Sequence, residues 1–154
     1  MSPQRIAGAV RREAPLLRRD DRVRDAVDAI VGADVPALPV VDAKGRLVGI
    51  FGEREFIGAL FPGYLKQLGY AGFVPRSLDE ALQKRADCAG DLVGKHMNSD
   101  HIDVGADFSD TQIAEVFLHH RVLIVPIVND GVVTGIVTRQ DFFRALARRF
   151  LDLS

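Results

Sequence analysis

Hydrophobic and polar positions in the first third of the chain predict a strand, a helix, two further strands and a closing helix. A short apolar segment over 15–17 precedes Asp21, which we expect to cap the first helix. Two apolar runs over 37–41 and 47–51 are joined by a turn-forming segment and predict a pair of strands, and a helix is expected over 53–60. The stripe that would bury the first helix is formed by Val23, Val27, Ile30 and Val31.

The same order of elements is predicted again in the last third of the chain. Ile102 and Val104 mark a first strand, and Ser109 has capping-box spacing to Gln112 at the start of a helix. The apolar stripe of this helix is Ile113, Val116 and Phe117. The remaining elements are two strands and a helix, expected over 122–128, 132–137 and 142–151. The chain is therefore predicted to contain two β-α-β-β-α units of α+β class.

The repeated order reflects an internal duplication of the sequence. Residues 39–56 correspond to 126–142, with an offset of 87 residues at Pro39 and of 86 residues from Gly49 onward. The one-residue difference falls in the turn between the strands, where a change of length leaves both strands intact. The match extends upstream into a lead-in segment, where Ile6 and Gly8 correspond to Leu92 and Gly94. A duplication of this kind predicts two pseudo-symmetric units.

We expect the chain to divide into a first repeat with its lead-in over 1–60, a helical connector over 61–91, and a second repeat with its lead-in and C-terminal helix over 92–154. Within the connector, a helical turn is expected over 64–68 and a second helix from Ser77 to about Ala86, because Ser77 has capping-box spacing to Glu80.

Composition narrows the class of protein. The 154 residues are 47% hydrophobic and 27% charged, which fits a soluble globular protein with a substantial core. A net charge of −1 argues against a nucleic-acid binder, and the basic cluster of Arg11, Arg12, Arg18 and Arg19 is interpreted as a solvated face. The longest apolar run, 122–128, is too short to span a bilayer. Since Cys88 is the single cysteine, we expect a reducing, cytoplasmic compartment.

One strand-to-helix corner carries the residues that best fit a ligand site. Gly135 allows another group to approach closely, Thr138 stands where a helix begins, and Asp141 follows one turn later. A helix N-terminus presents free amide donors that suit a phosphate, and a carboxylate suits a ribose diol. The same Thr-x-x-Asp spacing is also that of an N-cap followed by a first-turn carboxylate, which needs no ligand. The spacing leaves both interpretations open.

The matched blocks, PVVD…GI in the first copy and PIVN…GIVTRQD in the second, resemble the CBS-domain family, named for cystathionine beta-synthase. The resemblance covers about 6–60 and 92–148, and the second block is similar to the family's Gly-hydrophobic-x-Thr/Ser-x-x-Asp nucleotide signature. This resemblance implies that Asp141 holds ribose hydroxyls and that Thr138 meets phosphate, with Gly135 opening the motif. The implied walls for adenine are Ile102, Ile124 and Ile136.

The first copy departs from this signature. Gly52 stands in place of the threonine and has no hydroxyl, and Glu55 replaces the aspartate with a side chain one methylene longer. Both residues still suit the start of a helix, so the fold is preserved while the ligand chemistry is weakened. We therefore expect one competent site per chain and a weaker second site formed by Glu55, Gly52 and Ala37.

The resemblance implies a regulatory protein that binds AMP, ADP or ATP in a cleft between repeats packed sheet to sheet. It also implies an effector protein, which the sequence leaves unknown, and a homodimer formed through the helices. The alternative is a ligand-independent interaction module whose nucleotide site is vestigial. An enzyme is not expected, because the sequence has no nucleophile–base arrangement, and a metal site is not expected either. The residues expected at the dimer contact are Phe142, Phe143, Leu146 and Phe150.

Overall fold

The fold consists of two small sheets flanked by helices, and the same order of elements occurs twice. The structure is a computed structural model that describes residues 6–61 and 78–154. The elements of the first half are α1 (Ile6–Ala9), β1 (Leu17–Arg18), α2 (Val23–Ala33), β2 (Ala37–Val41), β3 (Leu47–Gly52) and α3 (Glu53–Leu60). Those of the second half are α4 (Leu78–Lys84), a 3-10 helix (Ala86–Gly90), α5 (Val93–His96), β4 (Val104–Gly105), α6 (Asp110–His119), β5 (Ile124–Asn129), β6 (Val132–Thr138) and α7 (Arg139–Leu153).

Each sheet has three strands in the same order and with the same directions. β1 runs parallel to β2 and β2 antiparallel to β3, and β4, β5 and β6 repeat this arrangement. The register repeats as well, because Leu17 pairs with Val40 just as Val104 pairs with Ile127. Both antiparallel pairs have an irregularity directly after Val40 and Ile127. The predicted α+β fold of two pseudo-symmetric repeats is confirmed.

The lead-in segments are exchanged between the repeats. The backbone N–H and C=O of Arg12 both bond to Ile136, each at 2.9 Å, and those of Asn98 bond to Ile50 at 2.8 and 2.9 Å. The short helices follow the same rule, since α1 packs on α6 and α7, whereas α5 packs on α3 and β1. Each lead-in therefore completes the opposite repeat.

Two glycines of the repeated motif make this exchange possible. A Cβ on Gly49 would lie 2.8 Å from Met97 Sδ and 3.0 Å from the carbonyl oxygen of Asn98. A Cβ on Gly135 would lie 3.0 Å from the carbonyl oxygen of Arg12. At Gly135 the Arg11 side chain is nearer still, with Nε at 2.5 Å, so a larger residue at either glycine would have to displace both side chains and backbone of the lead-in. The close approach predicted at Gly135 is thus made by the lead-in of the first repeat.

The core consists of two main clusters of buried side chains, one for each sheet. Each cluster includes a residue from the opposite lead-in, because Ala7 belongs to the second and Val93 to the first, and both are 0% exposed. Ile124 and Ile136 of the second repeat are also members of the first cluster. The two repeats therefore share their apolar interior, and burial of this surface stabilises both together.

Two expectations for α2 are wrong. The N-cap position is Arg22 rather than Asp21, and no side-chain hydrogen bond caps this helix within the described chain. The Asp21 carboxylate instead accepts the Arg18 N–H at 2.8 Å, while its carbonyl accepts the N–H of Val93 at 2.8 Å. Contact with the exchanged lead-in thus fixes where α2 begins. Val31 is 73% exposed. The residues that α2 buries are Val23, Ala26 and Ile30.

The second repeat follows its predicted pattern more closely. Ser109 Oγ accepts the Gln112 N–H at 3.1 Å, which confirms the N-cap of α6. β4 begins at Val104, so Ile102 lies two residues outside the strand that it was expected to mark.

The described part of the connector packs against the first repeat. The single helix expected to reach about Ala86 is instead α4, which ends at Lys84, followed by the 3-10 helix. Arg85 donates from Nε and Nη2 to the Ala59 carbonyl at 3.2 and 3.0 Å, and Cys88 is buried with Ala59. The helical turn predicted over 64–68 lies outside the described residues.

Candidate functional site

The corner between β6 and α7 holds the two residues that the sequence singles out most strongly. Thr138 is only 3% exposed, and its Oγ1 accepts the backbone N–H of Asp141 at 3.1 Å. The N–H of Arg139 donates to the carbonyl of Leu123 at 2.9 Å. Thr138 is therefore the N-cap of α7, and the segment that leads into β5 holds the first turn of this helix in place.

Asp141 is held by an arginine from the lead-in of the first repeat. Arg12 Nε lies 2.5 Å from Asp141 Oδ2 and Nη2 lies 3.0 Å from Oδ1, which makes a bidentate ion pair. This hydrogen bonding by Arg12, assisted by Thr138, holds the pKa of the Asp141 carboxyl below its usual range against the opposing effect of burial. Asp141 is therefore an ionised acceptor at neutral pH, and both of its oxygens face a cation.

Arg12 is the residue of this corner that the sequence analysis missed. Its Nη1 also lies 3.5 Å from the carbonyl oxygen of Asp34, so the guanidinium connects α7 to the end of α2. The only trace of Arg12's role in the sequence is that it belongs to a run of basic residues with Arg11, and such a run is typical of a solvent-exposed face. The carboxylate that Arg12 contacts is 129 residues further along the chain, and only the exchange of lead-ins brings the two together.

A cavity of about 960 Å³ opens between the repeats beside this corner. The first turns of both α3 and α7 line it, through Glu53 on one side and Arg139 and Gln140 on the other. Asp34 also lines the cavity and its carbonyl is reached by Arg12, but Arg12, Thr138 and Asp141 do not themselves line the cavity. The volume suits a small-molecule site, for which about 300–1,000 Å³ is typical. The main apolar lining residues are Val27, Ile30, Val31, Phe56 and Phe143.

A smaller cavity of about 220 Å³ lies where the first lead-in passes β6. The predicted residues Gly135 and Ile136 line this cavity, together with Ala14 and Leu16 of the lead-in. It is therefore a recess between the exchanged segment and the strand that ends at Thr138.

The other predicted apolar residues lie close to the same sheet. Ile124 is opposite Thr138 in the β5–β6 pair and is 1% exposed. Ile102 is half-buried just before β4, the neighbour of β5. Ile102 and Ile124 do not line either of the two cavities described above.

The equivalent corner of the first repeat is closed on the side of β2, although Gly52 lines the cavity between the repeats. A Cβ on Gly52 would lie 2.5 Å from the carbonyl oxygen of Pro36 and would overlap Ala37. Ala37 is opposite Gly52 in the sheet and is 2% exposed. Glu55 turns back to the start of its own helix, where Oε1 accepts the Gly52 N–H at 2.9 Å, and burial raises the pKa of its carboxyl. The three residues predicted for a weaker second site thus lie together, because Gly52 contacts both Glu55 and Ala37.

Elsewhere in the described residues, the Asp91 carboxylate lies beside both His96 and Lys95, with 3.6 Å between Oδ2 and Lys95 Nζ. His96 Nε2 lies 2.7 Å from Asp91 Oδ2, and burial raises the pKa of the Cys88 thiol, which disfavours the reactive thiolate. Within 6–61 and 78–154, no group of three or more His, Cys, Asp and Glu side chains is placed to hold a metal ion. None of the helices in the described ranges combines the length and the apolar character that a membrane span requires.

The protein is similar to known proteins in sequence and in fold. The sequence model of the CBS domain matches residues 6–62 and 89–148. The structure is similar to that of the CBS-pair protein CBSX2 from Arabidopsis thaliana, with 23% identity and a TM-score of 0.70 over 92% of this chain and 94% of that chain.

Two further structures share 25% identity with this chain. One is the CBS domain of a CBS-domain-containing membrane protein from Sphaerobacter thermophilus, with a TM-score of 0.66 over 91% of each chain. The other is CBSX2 in complex with AMP, with a TM-score of 0.65 over 92% of this chain and 96% of that chain. Because the two matched stretches account for most of the sequence and coincide with the two structural repeats, the chain belongs to the CBS-domain family as a tandem pair of CBS domains.

Proposed function

We propose that the protein is a regulatory module that binds an adenine nucleotide at the corner between β6 and α7. The observation that carries this proposal is the Asp141 carboxylate, which is held by Arg12, while Arg12 also reaches Asp34 on the lining of a cavity of about 960 Å³ between two CBS domains. CBS domains are regulatory modules, and the similar protein CBSX2 has been solved with AMP. AMP, ADP and ATP are the expected ligands. A cytoplasmic location, which the single cysteine supports, and an effector protein complete the proposal.

Each residue of the corner has a role in this proposal. Asp141 offers two carboxylate oxygens to the ribose hydroxyls. The Thr138 hydroxyl accepts from the Asp141 N–H, and its own hydrogen is suited to donate to a phosphate at the positive end of α7. For adenine we propose an apolar wall of Ile136 and Ile124 that Ile102 extends, although of these three only Ile136 lines a cavity, the smaller one. Gly135 lets the lead-in close one side of the site.

A second candidate function is a ligand-independent interaction module, and one observation favours it. Both oxygens of Asp141 already accept hydrogen bonds from Arg12, and Thr138 already caps α7. In this alternative the corner stabilises the fold and binds no nucleotide.

Calorimetric titration with AMP separates the two functions. If Asp141 binds ribose, Asp141→Ala should weaken AMP binding by about 10- to 150-fold, because hydrogen bonds to a charged group contribute roughly 1.5–3 kcal/mol. Asp152→Ala removes the same charge from the exposed end of α7 and serves as the matched control. Wild-type protein should also bind 2′-deoxy-AMP more weakly than AMP. Absence of AMP binding, or an affinity that Asp141→Ala leaves unchanged, would favour the interaction module.

The number of sites tests the asymmetry between the repeats. We propose one strong site per chain at Thr138 and Asp141, and a weaker one at Glu55, Gly52 and Ala37, because the latter three residues already contact one another. Two equal and independent sites per chain would contradict this difference.

We also propose a homodimer that forms through the helices. Phe143, Leu146 and Phe150 are 66%, 41% and 68% exposed on α7, and apolar patches of this kind often mark an interface. Phe142, expected at the same contact, is instead 6% exposed and packs against Phe117 with 5.8 Å between ring centroids. Light scattering should give the mass of two chains for the wild type and of one chain for Phe150→Glu. A wild-type mass of one chain would contradict the proposal.

A further inference from the structure

The acceptor that we assign to ribose is already occupied by a side chain of the protein itself. Arg12 forms its bidentate pair with both oxygens of Asp141, and its Nη1 lies 3.5 Å from the carbonyl oxygen of Asp34, which lines the cavity between the repeats. A nucleotide that uses Asp141 must therefore displace the guanidinium of Arg12. This inference rests on the proposed function, and it concerns what happens to Arg12 when the ligand arrives.

The backbone of Arg12 is fixed by hydrogen bonds, whereas its side chain is partly exposed and is held by its polar contacts. Two backbone hydrogen bonds of 2.9 Å tie Arg12 to Ile136. The absence of a side chain at Gly135 allows the Arg12 backbone to lie this close to β6. The side chain is 38% exposed, and its third contact, to the Asp34 carbonyl, has a length of 3.5 Å at which a hydrogen bond is weak. Displacement therefore requires a change of rotamer and leaves the lead-in where it is.

The charged residues around the cavity offer a ligand phosphate a single cation, so the displaced guanidinium would be a useful second one. The charged residues that line the cavity are Asp34, Glu53 and Arg139, two acidic and one basic. This balance alone does not favour a phosphate, which carries up to two negative charges. Arg12 is protonated at any physiological pH, and its planar fork matches a phosphate as well as it matches a carboxylate.

We propose that Arg12 exchanges partners on binding, so that Asp141 passes from the guanidinium to the ribose hydroxyls while Arg12 passes from the carboxylate to the ligand phosphate. Arg12 and Asp141 then each have a polar partner both before and after the ligand binds. A nucleoside without phosphate would break the same ion pair and leave Arg12 without a new acceptor. Arg12 is therefore a specificity-determining residue that selects nucleoside phosphates against free nucleosides.

The ratio of the dissociation constants for adenosine and AMP tests this exchange. Wild-type protein should prefer AMP, and Arg12→Gln should bind AMP more weakly and adenosine more tightly, because Asp141 no longer has a competitor. The preference should fall by about tenfold or more, the effect of losing a hydrogen bond to a charged group. Arg11→Gln is the matched control: Arg11 is exposed, its side chain donates to the Thr134 carbonyl, and the preference should not change.

The outcomes separate this proposal from the function on which it rests. If Arg12→Gln tightens binding of both ligands equally, Arg12 is only a competitor for Asp141, and the exchange is refuted while nucleotide binding stands. An unchanged preference in Arg12→Gln refutes the exchange as well. If wild-type protein binds neither ligand, the proposed function fails and the exchange fails with it. Arg12→Lys, which keeps the charge but not the fork, should retain part of the preference, and this variant provides the measurement if Arg12→Gln does not fold.

Discussion

Replacing Gly52 with threonine would give the first repeat the residue that Thr138 provides in the second. The structure predicts that this change destabilises the protein instead of creating a second nucleotide site. The first atom of the new side chain would lie 2.5 Å from the Pro36 carbonyl oxygen and 2.7 Å from the Ala37 Cα. Both neighbours are backbone atoms at the start of β2, which is hydrogen-bonded to β3. The strand pair must therefore separate to admit the side chain.

The expected magnitude follows from this geometry. Overpacking in a protein interior costs about 1–3 kcal/mol, and the upper end applies where backbone must move. A loss of about 3 kcal/mol would lower the melting temperature of a protein of this size by roughly 6–12 °C. Thermal unfolding followed by circular dichroism measures the shift. Ala37→Gly in the same chain should restore only part of the stability, because the Pro36 carbonyl remains in the way.

Gly58→Ala is the matched control for Gly52→Thr. Gly58 lies inside α3, and a Cβ there meets nothing within 4 Å. The change should stabilise the protein by about 0.5–1 kcal/mol, because alanine loses less conformational entropy in a helix. If Gly52→Thr melts at or above the wild-type temperature, the closed corner of the first repeat is not the reason for its missing hydroxyl.

Three further predictions concern single carboxylates and a cap. Burial raises the pKa of Glu55, so this residue contributes most to stability when protonated, and that contribution is lost as pH rises through its folded pKa. Glu55→Gln keeps an acceptor for the Gly52 N–H and should therefore reduce the fall in melting temperature from acid to neutral pH. An unaltered pH profile would contradict this. The lowered pKa of Asp141 has the opposite sign, so the stability advantage of wild type over Asp141→Asn in urea should be present at neutral pH and vanish as pH falls through the folded pKa. Ser109→Ala should cost about 1 kcal/mol in urea unfolding because α6 loses its cap, whereas Thr111→Ala, at an exposed position of the same helix, should cost less.

The order of elements was predictable from the sequence because periodicity and turn residues act locally. The bounds of α3 are as predicted, and β2, β3, β5 and β6 differ by two residues or fewer at each end. The start of α2 was predicted wrongly, because Asp21 is drawn away by contacts with Arg18 and Val93. Local spacing contains no information about a lead-in that arrives from the other repeat.

The candidate site was predictable only in part. Thr138 and Asp141 are found together at the corner that their spacing indicates, and the resemblance to CBS domains supplied their possible roles. Arg12 could not be found in this way, because its partner is 129 residues distant. The closure of the first corner was also hidden, since the packing of Gly52 against Ala37 depends on how tightly β2 and β3 approach.

The exchange of lead-ins has a consequence for the ancestry of the chain. Since Ala7 lies in the core of the second sheet and Val93 in that of the first, one repeat by itself lacks part of its own interior. A single-copy ancestor with this geometry would have been a domain-swapped pair, in which each chain lent its lead-in to the other. Gene duplication would then have joined two separate molecules into one, whose equivalent corners now differ in sequence, with Gly52 in one and Thr138 in the other. We therefore expect the tandem pair to be the smallest unit that folds by itself, since cutting the chain between its repeats would leave each half without part of its core.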